Sequence, residues 1–497
     1  MPISNPQSPT SDWLKERAYT TPGALALLID ERHWTYGELD RLVDGYARHL
    51  LALGLAPGDK LATLLPAELP AVCLVHAAAR LGLLLAPLNT RLALPELARQ
   101  LAHLGNPPLV YDEATASVAA LLAGDGQWTV PVSIFARRPP SADPFAIPPF
   151  RLDAVQAIVF TSGTTGEPKG VMLTFANHFW SATASAYRLG VQPDDRWLSC
   201  LPLYHVGGLA VLFRSCLYGT AVVLHARFAV DAFNHSLDTQ AITLTSLVPT
   251  MLYRLLPTRG QWPASLRLVL LGGAAAPPAL LADAAAAGVA VATTYGLTEA
   301  ASQVATLLPA GVRRKPGSVG RPLLFTRVRI VDDQGREQPA GTYGEVVVSG
   351  PTVMAGYYEN EAATARALRR GELYTGDVGY LDADGDLWLV QRRSDIIVSG
   401  GENVYPAEVE EVLRRHPAVR AACVVGVPHP EWGQQVAALV AVRPGVPITS
   451  GELLAFCREH LAGYKLPRRL RLTGELPQTA SGKIARQQVQ QQLTDEA

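Results

Sequence analysis

The chain has 497 residues, of which 48% are hydrophobic and 18% are charged. This length suggests about three domain-sized units, or one large and one small, and the composition excludes a disordered chain. The 43 basic and 44 acidic residues give a net charge of −1. That balance gives no electrostatic reason to expect binding to nucleic acid or to an anionic membrane.

The cysteines and the most apolar windows indicate the cellular compartment in which the protein is expected. The five cysteines are widely spaced and form no CxxC pair, so neither a disulfide framework nor a structural zinc site is expected. The amino terminus has no basic segment followed by an apolar run. The most apolar windows, 70–88 and 268–293, contain charged residues or Gly and Pro. We expect a cytoplasmic protein without membrane insertion, and the sequence leaves homo-oligomer formation open.

The first predicted element in chain order is a helix over residues 35–54. Thr35 and Glu38 form a capping-box pattern at its start, and Gly54 marks its end. Short apolar runs then alternate with helical stretches up to about residue 294, which is typical of βαβ units and a parallel sheet. A Pro-rich connecting loop interrupts this pattern at 136–149. From 317 to 350, short strands separated by turn residues predict a β-rich subdomain.

A domain boundary is predicted near residues 391–401. Beyond it, Pro406 begins a helix, two apolar runs follow, Thr449 with Glu452 caps a second helix, and a polar tail ends the chain. These elements predict a small α+β domain. The fold class is therefore α/β: a large multilayer N-terminal region, 1–391, with a β-rich subdomain, and a small C-terminal domain, 392–497.

Residues 161–170, TSGTTGEPKG, are the strongest chemical signal. Three glycines allow close backbone approach, four hydroxyls can donate hydrogen bonds, and Lys169 adds a positive charge, so the string has the parts of a phosphate cradle. It is not a Walker A loop, because Pro168 precedes the lysine and no GK[ST] follows. The chain has only six lysines, which makes Lys169 less easily explained as a surface charge. The alternative is a flexible surface turn.

This string resembles the core motif of the adenylate-forming enzymes, the family of acyl-CoA synthetases, luciferases and peptide-synthetase adenylation domains. Further motifs of that family follow in order, at 202–205 (PLYH), 295–299 (YGLTE), 374–377 (YTGD), 392–410 and 477–483. The resemblance spans nearly the whole chain. It implies an AMP-forming ligase that uses ATP, Mg²⁺ and coenzyme A and acts on small molecules.

The resemblance also implies a set of site residues. The ATP-binding set is Thr161, Ser162, Gly163, Thr164, Thr165, Gly166 and Lys169 at the phosphates, Gly273, Ala274, Ala275, Tyr295 and Gly296 at the adenine side, and Asp377 and Arg392 at the ribose. The catalytic set is Lys483, His205, Thr298 and Glu299, with Glu299 as the Mg²⁺ ligand. Lys483 would bridge the α-phosphate and the acyl carboxylate. His205 would lie near the acyl group and the thiol entry.

Each of these residues has a structural alternative. Glu299 could cap a helix, Asp377 could be a turn residue, and Lys483 could be solvated. His205 could be a partly buried histidine without a catalytic part. The family also implies a mobile lid. Ser394 within 392–395 would be its hinge, and the face carrying Gly400, Gly401 and Glu402 would serve the coenzyme A step.

Three stretches, 201–228, 292–307 and 391–410, resemble the subfamily that acts on o-succinylbenzoate in menaquinone biosynthesis. That acid carries a second carboxylate, which is costly to bury unpaired. Arg214 lies in an otherwise apolar helical run, and Ser302 and Gln303 follow the 295–299 motif, so the three are candidates to bind it together with His205. Arg214 could instead face solvent or form a structural ion pair. Two other functions stay open: ligation of another aryl or medium-chain acid, and loading of a separate carrier protein.

Overall fold

The residues that the structure describes form three β-sheets, which helices cover. The computed structural model describes residues 12–139, 145–149, 151–161, 168–391, 396–477 and 484–495. The helices are α1 (Trp13–Thr20), α2 (Tyr36–Ala52), α3 (Leu69–Leu81), α4 (Leu94–His103), α5 (Ala116–Gly124), α6 (Phe175–Leu189), α7 (Val206–Tyr218), α8 (Val230–Thr239), α9 (Pro249–Leu255), α10 (Pro278–Ala286), α11 (Pro309–Arg314), α12 (Glu361–Ala367), α13 (Pro406–Arg415), α14 (Ser450–His460) and α15 (Arg486–Thr494).

The described strands fall into an N-terminal and a C-terminal group. They are β1 (Leu25–Ile29), β2 (Arg32–Thr35), β3 (Lys60–Leu64), β4 (Leu84–Pro87), β5 (Leu109–Tyr111), β6 (Thr129–Pro131), β7 (Val155–Thr161), β8 (Lys169–Thr174), β9 (Arg196–Ser199), β10 (Ala221–Leu224), β11 (Leu244–Leu247), β12 (Leu268–Leu271), β13 (Val291–Leu297), β14 (Ser302–Leu307), β15 (Ser318–Pro322), β16 (Arg327–Val331), β17 (Gly344–Ser349), β18 (Gly356–Tyr357), β19 (Leu368–Arg369), β20 (Glu372–Leu381) and β21 (Leu387–Gln391). The C-terminal strands are β22 (Ile397–Ser399), β23 (Glu402–Val404), β24 (Val419–His429), β25 (Gly433–Val442) and β26 (Arg469–Thr473).

The predicted α/β layers are confirmed in two N-terminal sheets. One sheet has the order β18-β8-β7-β4-β3-β5-β6, with parallel pairing from β7 to β6. The other begins with a parallel part, β13-β12-β11-β9-β10-β1, as expected from the alternation of strands and helices. It continues beyond β13 as antiparallel strands that include β16 and β17, which confirms the predicted β-rich part.

Local capping signals placed several helices correctly. Thr35 and Glu38 form the predicted capping box, and α2 ends just before Gly54. A fully buried Arg80 on α3 then ties this helix to its neighbours. Its guanidinium bonds to Asp12, at the start of α1, at 2.5 Å and to Asp40 and Asp44 of α2.

The C-terminal region is the predicted small α+β unit. Its sheet has the order β23-β22-β25-β24, with β26 parallel to β25, and α13 begins at Pro406 while Thr449 caps α14. The polar tail contains a helix that the sequence did not predict. Residues 486–494 form α15, which buries Val489 and Leu493 against the sheet. These two apolar residues are four apart, so they share one face of a helix that is otherwise mostly glutamine.

Two further properties follow from the packing. All five cysteines are buried and unpaired. In the part of the chain that the structure describes, no helix is both long enough and apolar enough to cross a bilayer.

Candidate active site

A cavity of about 340 Å³ opens at the carboxyl ends of β11, β12 and β13 and is closed on its far side by the C-terminal region. Ligands of open α/β sheets bind at this edge of the strands. Twelve of the predicted site residues line it: Thr161, His205, Arg214, Gly273, Gly296, Thr298, Glu299, Ser302, Gln303, Asp377, Gly401 and Glu402. Of the predicted residues that the structure describes, Lys169, Ala274, Ala275, Tyr295 and Gly400 lie outside this lining. Ser162, Gly163, Thr164, Thr165, Gly166, Arg392, Ser394 and Lys483 lie outside the described residues.

Of the two ends of the predicted phosphate cradle, Thr161 lines the cavity and Lys169 lies beside it. Thr161 ends β7 and Lys169 begins the antiparallel β8, where the two residues pair in register. The ammonium of Lys169 lies 5.2 Å from the ring centre of Tyr357. The hydroxyl of Tyr357 donates to Glu299 Oε1 at 2.9 Å. Tyr357, which lines the cavity, thus contacts a cation with its ring and a carboxylate with its hydroxyl.

Glu299 lies in a short 3₁₀ turn that follows β13, as the sequence predicted for a residue after this strand. Burial raises the pKa of Glu299 above its usual range, while the hydrogen bond from Tyr357 and the charge of Lys169 oppose that rise. A half-buried carboxylate on the cavity wall is the kind of hard oxygen ligand that Mg²⁺ accepts. The residue therefore fits the predicted metal position.

Tyr295 and Asp377 meet directly. The tyrosine hydroxyl donates to Asp377 Oδ2 at 2.5 Å, and both side chains are buried. Asp377 faces the cavity, whereas the ring of Tyr295 packs behind the wall. The contact joins two motifs that are 82 residues apart in the sequence.

Arg214 is the most unusual group on the cavity wall. It lies on α7 and is only 2% exposed, so the alternative in which it faces solvent is wrong. Its Nη2 donates to Ser181 Oγ at 3.3 Å and to Ser302 Oγ at 3.4 Å, while its Nε meets no described acceptor. Among the described residues no carboxylate forms an ion pair with it. Burial lowers the pKa of this guanidinium, yet an arginine stays charged in proteins.

A strained turn presents Ser302 to Arg214. Ala301 and Ser302 both have positive φ, 51° and 97°, a conformation that is costly for residues with a Cβ. The hydroxyl of Ser181 donates to the carbonyl of Ala301 at 2.7 Å and so supports this turn. Gln303 follows, with a buried Oε1 that meets no donor among the described residues. The wall therefore presents one cation and several polar atoms to the cavity.

The C-terminal region contributes Gly401 and Glu402 to the opposite wall. His205 directly precedes α7, and its Nε2 lies 3.2 Å from Glu402 Oε2. Arg91 donates to Glu402 Oε1 at 2.7 Å. Although burial opposes ionisation, His205 and then Arg91 hold the pKa of Glu402 below its usual range. The face carrying residues 400–402 is thus the one that meets the cavity in this structure.

Sequence reasoning missed several residues of this wall. Glu96, Glu408 and Lys465 line the cavity and meet where α4 contacts the C-terminal region, and Arg91 contacts Glu402 beside it. They come from distant segments with no shared motif, so the sequence did not group them. The scarcity of lysine, which singled out Lys169 and Lys483, is a signal that also applies to Lys465.

Comparison with known proteins gives this geometry a context. Residues 14–358 match the AMP-binding enzyme family, and residues 408–483 match the AMP-binding enzyme C-terminal domain. The chain is 41% identical over 482 residues to a 2-succinylbenzoate–CoA ligase of Bacillus mycoides strain KBAB4, which covers 96% of this chain and 98% of the relative.

Two solved structures of o-succinylbenzoate CoA synthetase from Bacillus subtilis are similar throughout. A double mutant bound to the product analogue OSB-NCoA has a TM-score of 0.92 at 40% identity, covering 97% of this chain and 98% of that one. A complex with ATP and magnesium has a TM-score of 0.75 at 40% identity, covering 96% and 98%. Sequence identity and coverage are nearly the same for the two structures. We therefore attribute the difference between the two TM-scores to a different arrangement of the N-terminal and C-terminal regions.

Proposed function

Because the chain belongs to the family of AMP-binding enzymes, we propose that it joins 2-succinylbenzoate to coenzyme A in an ATP-dependent, AMP-forming reaction, as the names of its relatives suggest. The observation that supports this choice of substrate is that Arg214 is a buried cation on the cavity wall without a described carboxylate partner. The acid has two carboxylates. One is activated, and the other, on the ring, pairs with Arg214.

Two half-reactions account for the products. In the first, a carboxylate oxygen attacks the α-phosphorus of ATP, the bond to the β-phosphate oxygen breaks, and diphosphate leaves an acyl-AMP behind. In the second, the sulfur of coenzyme A attacks the acyl carbon, the bond to the AMP oxygen breaks, and the thiol proton is released with AMP as leaving group. Like charges 4 Å apart repel by about 4 kcal/mol at an effective dielectric constant near 20, so the first step needs charge neutralisation.

The chain's own residues supply that neutralisation. Lys169 and the hydroxyls and amides of 161–166 hold the β- and γ-phosphates. Glu299, with Thr298 beside it, holds Mg²⁺, which when bound offsets phosphate charge. Lys483 places its ammonium between the α-phosphate and the acid.

The nucleoside is held at the wall formed by the N-terminal region. Asp377 accepts hydrogen bonds from the ribose hydroxyls, with Arg392 beside it. Gly296 and Gly273 line the wall at which we place the adenine, while Tyr295, whose ring packs behind that wall, acts through Asp377. The 2.5 Å bond from Tyr295 to Asp377 supports this role, because it fixes the carboxylate at the cavity.

The lid, residues 392–497, changes its orientation between the two steps about Ser394. Lys483 serves adenylation, and the face with Gly400, Gly401 and Glu402 serves thioester formation. The position of Gly401 and Glu402 on the cavity wall supports the second of these roles. His205, in contact with Glu402, lies where the acyl group and the thiol would meet.

The ring carboxylate is bound by Arg214 together with Ser302 and Gln303. Burying an unpaired charge is costly, and a carboxylate partner offsets that cost. A fatty acid or benzoate has no second carboxylate to offer.

We also place the enzyme in the reducing cytoplasm, because its five buried cysteines are all unpaired.

A substrate panel tests the proposal. The purified chain is given ATP, Mg²⁺, coenzyme A and one acid at a time: 2-succinylbenzoate, benzoate or octanoate. Diphosphate release and thioester formation are both measured. We expect substantial rates of diphosphate release and of thioester formation only with 2-succinylbenzoate. Preference for benzoate or octanoate would overturn the substrate, and diphosphate release without any thioester on free coenzyme A would favour loading of a carrier protein.

A further inference from the structure

Three ionisable side chains are buried together where the lid meets α4. The ammonium of Lys465 contacts Glu96 Oε1 and lies 2.7 Å from Glu408 Oε1. Lys465 and Glu96 are each 3% exposed, and Glu408 is 7% exposed. Glu96 Oε2 also accepts from the amide of Ala462 at 2.8 Å. The N-terminal region supplies Glu96, and the lid supplies the other groups.

The cluster is sensitive to the position of the lid. Glu408 travels with Lys465, because both belong to the lid, whereas Glu96 stays on α4. A buried charge separated from its partner is strongly unfavourable unless water reaches it. Moving the lid therefore breaks the contact between Lys465 and Glu96 and must hydrate both groups. The contact between Lys465 and Glu408 need not change.

The lid orientation in this structure is the one that presents Gly401 and Glu402 to the cavity. The whole chain overlays better on the neighbour with the product analogue than on the neighbour with ATP and magnesium, with TM-scores of 0.92 and 0.75. The cluster of Glu96, Glu408 and Lys465 thus belongs to the arrangement shared with the product-analogue complex.

We propose that Glu96 and Lys465 are positioning residues for thioester formation: their buried contact across the domain boundary favours the lid orientation in which the second half-reaction takes place. This inference rests on the two half-reactions of the proposed function. Neither residue needs to touch the reacting atoms. Their effect is on the population of one lid orientation, and the rate of the second step follows that population.

Two matched substitutions separate this effect from general support of the fold. Glu96→Gln removes the charge that crosses the boundary but keeps an oxygen that can accept from Ala93 and Ala462, as Glu96 does now. Glu408→Gln removes a charge from the same ammonium within the lid. Burial raises the pKa of Glu408, and its Oε2 meets no described donor, so a neutral amide suits that site.

The half-reactions are measured separately in the full chain. Diphosphate release from ATP and acid reports adenylation, and a single turnover of isolated acyl-AMP with coenzyme A reports thioester formation. We expect Glu96→Gln to slow thioester formation about tenfold, the effect of about 1.4 kcal/mol, and to leave adenylation unchanged. Glu408→Gln should slow thioester formation less than Glu96→Gln does, because the contact that it removes lies within the lid. Equal losses in both half-reactions, or no loss in Glu96→Gln, would overturn the inference.

A direct measurement of lid orientation keeps this test independent of the substrate. Because the five natural cysteines are buried, fluorophores can be attached through Tyr187→Cys on α6 and Glu459→Cys on α14, both exposed positions. Energy transfer should show Glu96→Gln leaving the present orientation and Glu408→Gln keeping it. An unchanged distribution in Glu96→Gln would overturn the inference. If the wild type forms no acyl-AMP from 2-succinylbenzoate, the proposed substrate fails, while this distribution still decides the role of Glu96.

Discussion

At the scale of single residues, the site is defined by a charge without a described counter-charge. Arg214 is buried on α7, and two serines are its hydrogen-bond partners. Serine hydroxyls orient a guanidinium, but they do not neutralise it. A carboxylate entering the cavity supplies a charge-assisted and geometrically matched partner. In the proposed function, the buried charge of Arg214 is the part of the site that recognises the ring carboxylate.

Ser181 provides a residue-scale prediction. Its hydroxyl proton is used on the carbonyl of Ala301, so its oxygen accepts from Arg214 and links the guanidinium to the strained turn at Ser302. We expect Ser181→Ala to lower kcat/KM for 2-succinylbenzoate about tenfold, because a hydrogen bond to a charged group is lost. The same acid without its ring carboxylate, 4-oxo-4-phenylbutanoate, should be much less affected.

Ser185 is the matched control for this change. It lies one turn further along α6, is equally buried, and forms no hydrogen bond with Arg214 in the described structure. Ser185→Ala should leave the ratio of the two acids unchanged. An equal effect of both serine variants on both acids would show that Ser181 supports packing and does not position Arg214.

Some of these residues could be predicted from the sequence and some could not. Arg214 stood out as a charge within an apolar run, and Ser302 and Gln303 stood next to a recognisable motif. Ser181 carries no such signal, because its partner Ala301 is 120 residues away. Lys465 was missed for the same reason, since Glu96 is 369 residues distant. Contacts between distant segments depend on packing that no local pattern contains.

At the scale of elements, the hairpin formed by β13 and β14 sets the position of Ser302 in the proposed acid site. A Cβ on Gly296 would lie 1.9 Å from the carbonyl oxygen of Ser302, so only glycine lets these strands approach this closely. We expect Gly296→Ala to displace Ser302. It should reduce kcat/KM sharply and lower the free energy of unfolding by about 1–3 kcal/mol, as overpacking does.

Gly124→Ala is the control for this change. Gly124 ends α5, and a Cβ there would meet nothing within 4 Å, so the free energy of unfolding should not fall. Both variants are compared with the wild type by urea denaturation and by steady-state kinetics. A Gly296→Ala variant with wild-type stability and activity would contradict the role of the hairpin.

Local sequence patterns predicted some of these elements and missed others. The capping boxes at Thr35 and Thr449 were predicted because their partners lie three residues away. Helix α15 was missed because its two buried residues, Val489 and Leu493, stand among glutamines. A short polar sequence forms this helix only because a sheet offers a surface for those two side chains, and tertiary packing supplies most of helix stability.

At the scale of the whole molecule, buried histidines make stability depend on pH. Burial lowers the pKa of His76 to about 4 and that of His178 to about 3, against about 6.5 in an unfolded chain. Below pH 6.5 the unfolded chain therefore binds more protons than the folded one, so stability falls as the pH falls. The loss continues until the pH reaches the folded pKa of each histidine.

His76→Leu tests this dependence. The group should account for about 2 kcal/mol of lost stability between pH 7 and pH 5. In His76→Leu the free energy of unfolding, measured by urea denaturation at pH 7, 6 and 5, should fall less steeply than in the wild type. Parallel curves for the two proteins would show that His76 is not kept neutral by the fold.

In the proposed function, one cavity closed by the lid selects an acid with two carboxylates. A competition experiment measures that selection most directly. Equal concentrations of 2-succinylbenzoate and 4-oxo-4-phenylbutanoate compete for limiting coenzyme A in the presence of ATP and Mg²⁺. Mass spectrometry then gives the ratio of the two thioesters, which equals the ratio of their kcat/KM values.

The wild type should favour 2-succinylbenzoate by about a hundredfold or more, because breaking a buried pair costs about 3–5 kcal/mol. In Arg214→Leu the ratio should collapse toward equality. A wild-type ratio near one, or a ratio that Arg214→Leu leaves unchanged, would contradict the claim that this buried guanidinium selects the substrate.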